Sequence, residues 1–245
     1  MLGERILITS GKGGTGKSST AAGLAVQLAA QGCSVLLIDL DAGLRCLDLL
    51  LGISAEVVFD LQDVMSGNAA LQAAVCCPAG TQGLSVLAAP LRRVAWDAAA
   101  LAKLTEAAVR DKDFVLLDCP AGFDDGFAAG AGAVDNALIV ATTDPVGIRD
   151  AGHARMALAP FGLPIRLVIN KLDRRQNGTE LLPLLDDVID AVGAQLLGIV
   201  PQDFKIPLFG SRGRPLTEGR GYKAMVRIAG RLAGQPIPLP PIGKI

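Results

Sequence analysis

Near the N-terminus the residues Gly11-Lys12-Gly13-Gly14-Thr15-Gly16-Lys17-Ser18 satisfy the spacing G-x-x-x-x-G-K-S/T. They follow an apolar run that reads as a strand and open a pattern that reads as a helix, which is the context such a loop needs to grip phosphate. Glycines let main-chain N–H groups turn inward around an anion at the positive end of a helix. In that loop Lys17 is placed to bridge the β- and γ-phosphates of a nucleotide. The Ser18 hydroxyl is placed to bind Mg2+, and Ser19 to meet the α-phosphate. Lys12 is a second cation, which on residue chemistry alone reads as added charge for the same phosphates.

Carboxylates of the right kind arrive at two other strand ends. Leu36-Leu37-Ile38-Asp39-Leu40-Asp41 puts Asp39 and Asp41 two apart, on one side of an extended segment. Val115-Leu116-Leu117-Asp118 is an apolar strand ending in an acid, the Walker B pattern. Asp118 is expected to hold Mg2+ through a water, because Mg2+ keeps part of its hydration shell. Asp41 is the candidate for orienting an attacking water, and Asp39 for supporting either the metal or the loop. The plainer reading of each, a solvated acid at a strand end, is the lesser one.

Seven short apolar runs, bounded by turn residues, position these groups: Ile6–Thr9, Ser34–Leu40, Leu84–Ala88, Phe114–Asp118, Ala137–Thr142, Arg166–Asn170 and Leu196–Val200. The major gaps between them carry amphipathic helical spacing, beginning with a helix over about Ser18–Gln31. Alternation of this kind predicts an α/β fold: a doubly wound, mostly parallel sheet flanked by helices, the three-layer Rossmann-like arrangement of P-loop NTPases. The acids then share the edge where open α/β sheets bind ligands. The chain reads as one domain over 1–235 with a proline-rich, extended tail over 236–245, and no internal repeat is evident.

Composition narrows the function classes. Of 245 residues 51% are hydrophobic but only 4% aromatic, so an aliphatic core is expected. The formal charge is −1, which supplies no global field for nucleic acid or anionic lipid. Five cysteines without a CxxC pair (Cys33, Cys46, Cys76, Cys77 and Cys119) read as buried free thiols of a reducing cytosol. The apolar run entered after Arg5 does not read as a basic, cleavable leader, so no secretory signal is expected, and no apolar stretch reaches the roughly 18 residues of a membrane span.

The loop with its second lysine resembles the deviant Walker A loop of the MinD/ParA superfamily of ATPases, and several segments are similar to its MinD branch. Asp39-Leu-Asp-Ala-Gly-Leu-Arg-Cys-Leu-Asp48 resembles a first switch that usually reads D-x-D-x-G-L-R-N-L-D, with Cys46 in place of the asparagine. Asp118-Cys119-Pro120-Ala121-Gly122 resembles the second switch, D-S-P-A-G, with Cys119 in place of serine. Val57–Leu61, Gly67-Asn68, Thr143-Asp144-Pro145 and Ile148-Arg149-Asp150 extend the match, which runs over about residues 5 to 232.

The resemblance implies an Mg2+-dependent ATPase with slow turnover, cytoplasmic and transiently peripheral at the inner face of the plasma membrane, that pairs into a homodimer when ATP binds. It implies that Lys12 reaches the partner's nucleotide, an arginine-finger role that couples hydrolysis to pairing. It places Asn170 at adenine, whose edge an amide can match, and Pro201 and Asp203 in the loop packing the far side of the base. Spatial regulation of division, with MinE-like or MinC-like partner proteins, is the implied function. A flagellar-number regulator and a ParA-like partition ATPase are the alternatives. Basic residues cluster only modestly, at Arg174–Arg175 and at Arg212, Arg214, Arg220 and Lys223, so strong DNA binding is not expected. Absence of paired cysteines argues against an iron–sulfur carrier, and a single histidine, His153, against a metal-insertion ATPase. The tail departs from the family: its prolines forbid the usual amphipathic membrane-targeting helix, and Lys244 is its only charge. Ile237, Leu239 and Ile242 are then expected to pack on the domain's own surface.

Overall fold

The computed structural model describes residues 3–173 and 181–241. Among these, β1 (Glu4–Thr9), β2 (Val35–Asp39), β3 (Leu84–Leu87), β4 (Phe114–Asp118), β5 (Asn136–Ala141), β6 (Ile165–Leu172) and β7 (Gln195–Pro201) form one sheet. Their order is β3-β2-β4-β1-β5-β6-β7, and every neighbouring pair is parallel. All seven apolar runs of the sequence are therefore strands, with ends moved by one or two residues. The reason is plain in β2 and β4, which are buried at every position. Strands without a polar face need cover on both sides.

Helices supply that cover. They are α1 (Lys17–Ala30), α2 (Leu47–Leu51), α3 (Leu61–Met65), α4 (Leu71–Ala74), α5 (Ala98–Ala108), α6 (Asp125–Ala131), α7 (Pro145–Leu158), α8 (Leu181–Val192), α9 (Lys205–Ser211) and α10 (Arg220–Leu232). The strand period of two divides the core. Ile6, Ile8, Leu37 and Leu116 face Leu24 and Leu28 of α1 and Met225 and Ile228 of α10. Leu7, Leu36, Ile38 and Leu117 face the other way, toward Leu61, Leu101, Phe127, Ala154 and Leu185.

Chain direction creates the crevice. From β1 the chain crosses one face through α1 to β2, and from β4 it crosses the other face through α6 to β5. The loops after β1 and β4 therefore part from each other at neighbouring strand ends, the topological switch point at which such sheets bind ligands. Register completes the arrangement: Asp39 at the end of β2 is the direct partner of Asp118 at the end of β4, and Ile8 of β1 is the partner of Asp118 on the other side.

The stretch after α10 is strapped to the domain. Arg231 donates from Nε to the Ile237 carbonyl (2.7 Å), from Nη2 to that of Pro238 (2.7 Å) and from Nη1 to that of Leu197 in β7 (2.6 Å). Ile237 lies against Gly230, where a Cβ would stand 2.4 Å from its Cδ1. Leu239 remains 45% exposed, and Ile242 and Lys244 lie outside the described residues. The cysteines are all free thiols, but only Cys119 is buried and Cys77 is exposed, so the expectation of buried thiols is corrected for most of them. Odd spacing and adjacency in sequence carry no information on depth.

Leu7 is fully buried in the strand at the middle of the sheet. Leu7→Ala should lower the unfolding free energy by about 2–5 kcal/mol in urea titration, with the slope unchanged. A loss under about 1 kcal/mol would show that the aliphatic centre can collapse onto the gap.

Candidate functional site

The glycine loop joins β1 to α1, and two of its glycines are required by contacts. A Cβ at Gly11 would stand 1.9 Å from the Asp150 carbonyl oxygen of α7. Gly16 is left-handed (φ 88°), and a Cβ there would stand 2.3 Å from Asn170 Nδ2. Beyond Gly16 the helix begins at Lys17, with Thr20 closing the first turn on the Gly16 carbonyl through both N–H and hydroxyl.

Lys17 is 7% exposed, and its Nζ donates to Asp118 Oδ1 at 2.8 Å and to Ser18 Oγ at 3.3 Å. Burial alone would pull the ammonium down, but the Asp118 charge and hydrogen bond outweigh it and hold Lys17 above its ordinary value. Asp118 is wholly buried, and burial pushes its carboxyl up more than Lys17 draws it down. Its second oxygen, Oδ2, has no hydrogen-bond partner, and neither has the buried Thr15 hydroxyl. A single ammonium thus leaves a buried carboxylate half compensated, and a further cation would complete it.

Asp39 is the other buried acid. Its Oδ1 accepts from the Asp41 amide (2.8 Å), and its Oδ2 from the Cys46 and Leu47 amides (3.1 Å each). Of the two roles that the sequence leaves open to it, these bonds are of the loop-holding kind. Burial, with the neighbouring Asp118 charge behind it, pushes Asp39 up to about 7. Asp41 is partly buried, is raised by burial and drawn down by Lys17, and lines a cavity of about 590 Å3 with Leu44, Trp96, Pro120 and Asp124. The Cys46 thiol is pushed up to about 11 by burial.

Lys12 stands at the rim. Its Nζ donates to Asp144 Oδ1 at 2.9 Å. That carboxylate caps α7, accepting from the Thr142 hydroxyl (2.6 Å) and the Gly147 amide (2.9 Å), and these donors, Thr142 foremost, hold it well below the usual range. Sequence reasoning gave Asp144 no role, although Asp-Pro before a helical run is a readable N-cap signal.

The residues that the resemblance assigns to the base lie on the same edge. Asn170, 4% exposed, donates from Nδ2 to the Thr15 carbonyl (2.8 Å), and its Oδ1 accepts from the Lys171 amide (2.9 Å). Pro201 ends β7 opposite Leu172. Asp203 accepts from the Lys205 and Gly221 amides (2.9 and 2.8 Å), which ties the loop after β7 to the start of α10. Ser19 lines a small apolar cavity with Leu50, Phe209 and Met225. Among the described residues no cluster of three or more His, Cys, Asp or Glu could cage a metal. An ion held by one hydroxyl, one carboxylate and substrate oxygens is what Mg2+ favours instead.

Because Asp39 titrates near 7 when folded and near 3.8 otherwise, the folded protein holds a proton through that window which the unfolded chain has released. Its contribution to stability therefore falls as pH rises from about 4 to about 7. Urea unfolding across that range without Mg2+ should show a shallower fall for Asp39→Asn than for wild type; coincident slopes would count against the assignment.

Comparison with known proteins agrees with the geometry. The CobQ/CobB/MinD/ParA nucleotide binding domain family matches residues 6–216. The septum site-determining protein MinD of Helicobacter pylori is 34% identical over 244 residues, covering 95% of this chain and 91% of its own. In a MinC:MinD cell division protein complex of Aquifex aeolicus a chain superposes with TM-score 0.89 at 32% identity, over 97% of this chain and 99% of its own. MinD of Pyrococcus horikoshii, complexed with Mg-ADP, gives TM-score 0.81 at 28% identity, over 94% and 95%. A phosphate loop at the switch point, a buried lysine–aspartate pair beneath it and full-length similarity place this chain in the CobQ/CobB/MinD/ParA nucleotide-binding family, in its MinD branch of P-loop ATPases.

Proposed function

We propose that this protein is an ATP-dependent dimerising switch of the MinD type, hydrolysing ATP to ADP and phosphate in septum-site placement. The observation that carries the reading is the buried Lys17–Asp118 pair with its orphaned Asp118 oxygen, set beneath a glycine nest at the start of α1. Such a site is incomplete until phosphates and a cation enter. The nest of Gly11, Gly13, Gly14, Thr15 and Gly16 receives the β- and γ-phosphates with Lys17, and Ser19 lies toward the α-phosphate. Ser18 and Asp118 are the residues that would hold Mg2+, with Asp39 fixing the loop above them. Bound there, Mg2+ would supply neutralisation of the phosphate charge. Asn170 keeps one N–H free of its bond to Thr15 for adenine, and Pro201 and Asp203 border the far side of the base.

Asp41 orients water for in-line attack on the γ-phosphorus, and Lys17 and Lys12 of the partner subunit stabilise the charge that develops. Within one chain Lys12 is engaged by Asp144, so pairing requires that bond to open. Slow unassisted turnover belongs to this MinD-type reading. A MinC-like partner is supported by the MinC:MinD complex of the Aquifex aeolicus relative; a MinE-like activator would act by ordering these groups. Arg212, Arg214, Arg220 and Lys223 are exposed but few, and Arg174–Arg175 lie outside the described residues, so a partition role on DNA has no specific observation in its favour. No helix among the described residues is long and apolar enough to cross a membrane. We place the protein in the cytoplasm, with transient peripheral contact at the inner face of the plasma membrane.

Lys12→Ala should bind Mg-ATP as wild type does but remain monomeric with it in analytical ultracentrifugation, with hydrolysis reduced about tenfold or more. A variant that dimerises normally with ATP would remove the role in trans. Lys17→Ala should lose Mg-ATP binding by about tenfold or more, since a buried cation at the phosphates has no substitute.

A further inference from the structure

At the end of β6, beside Asn170, stands a lysine to which the reading above gives no role. The β6–β7 register shifts between Ile169 and Leu172, so Asn170 and Lys171 form a bulge at the end of the strand, beside the glycine loop. Lys171 is left-handed there (φ 57°), a conformation that residues with a Cβ seldom adopt. Two side chains leave this bulge for consecutive carbonyls of the loop. Asn170 Nδ2 donates to Thr15 at 2.8 Å, and Lys171 Nζ donates to Gly14 at 2.6 Å. Asn170 Oδ1 in turn accepts from the Lys171 amide at 2.9 Å, which locks the left-handed turn and aims the lysine.

In a planar trans peptide the N–H points opposite to the C=O. Drawing the Gly14 and Thr15 carbonyls toward the bulge therefore turns the Thr15 and Gly16 amides away from it, toward the interior of the loop. We infer that the Asn170–Lys171 bulge is a brace that presets the phosphate nest, with Lys171 a positioning residue for the triphosphate rather than a ligand of the base. The inference rests on the nucleotide reading above and adds a cause to it. Glycines make the loop able to adopt the nest conformation, and the brace selects that conformation before the anion arrives, which cuts the ordering cost of binding. The strain at Lys171 is tolerated because three hydrogen bonds over-determine the turn.

The test uses inorganic tripolyphosphate, which has no base or sugar, beside Mg-ATP, in calorimetric titrations of the full chain with Mg2+ present. Lys171→Gly should weaken both ligands by the same factor, about five- to tenfold, the scale of one hydrogen bond. Glycine accepts the left-handed conformation without strain, so its melting temperature should not fall. Lys171→Met, which keeps the stem and removes the charge, should show the same parallel loss, and Lys171→Arg should restore most of it. Tripolyphosphate affinity unchanged in the glycine and methionine variants would overturn the brace, as would a loss confined to ATP, which would move Lys171 to the nucleoside. If wild-type protein takes up neither ligand, the nucleotide reading itself fails, and the brace with it.

Discussion

One buried ion pair organises this molecule. Lys17 and Asp118 come from the first turn of α1 and the end of β4, and they meet only because β1 and β4 are neighbours in the sheet. Taking both charges out of water is costly, and a single contact at 2.8 Å repays it incompletely, with Asp118 Oδ2 left bare. The pair therefore contributes little to stability for its own sake. In the proposed function its reason is the ligand: phosphate oxygens for the ammonium and a cation for the carboxylate would satisfy both groups. The aliphatic core around it supplies the stability that the site lacks.

Asp39 extends the same logic to the loop after β2. It sits beside Asp118 in register, and three amides of the segment 41–47 hold its carboxylate. The segment that resembles a first switch is thus hung from a buried acid whose charge state depends on its neighbour. Any change in the compensation of Asp118 is felt by Asp39, and through it by Asp41 and Cys46. A nucleotide-sensing loop can be built this way without a long chain of contacts, because two adjacent strand ends carry both acids.

Around this centre the lysines divide their labour by depth. Lys17 is buried and committed. Lys12 is at the rim, engaged to the Asp144 cap of α7, an exposed contact of the kind worth little and easily exchanged. Lys171 lies outside the loop and acts on its carbonyl side. Three ammonium groups thus bear on one loop from three directions, and only the first must stay where it is for the site to exist.

Much of this was legible in the chain. Seven apolar runs became seven strands, most plainly β2 and β4, where burial on both faces leaves no polar positions to blur the run, and G-x-x-x-x-G-K-S after the first of them marks a phosphate loop. The resemblance to the MinD branch rested on local strings, and local strings survive in sequence. The pairings did not. That Asp39 holds a loop, that Lys12 rests on Asp144 132 positions away, and that Asn170 grips Thr15 depend on which strand ends are adjacent and on a bulge that re-aims two side chains. Residue types and spacing along the chain determined the elements and the chemistry available at their ends. Only the tertiary structure decided which groups compensate one another, because charge and hydrogen-bond satisfaction are properties of neighbours in space, and the order of strands in this sheet is not their order in sequence.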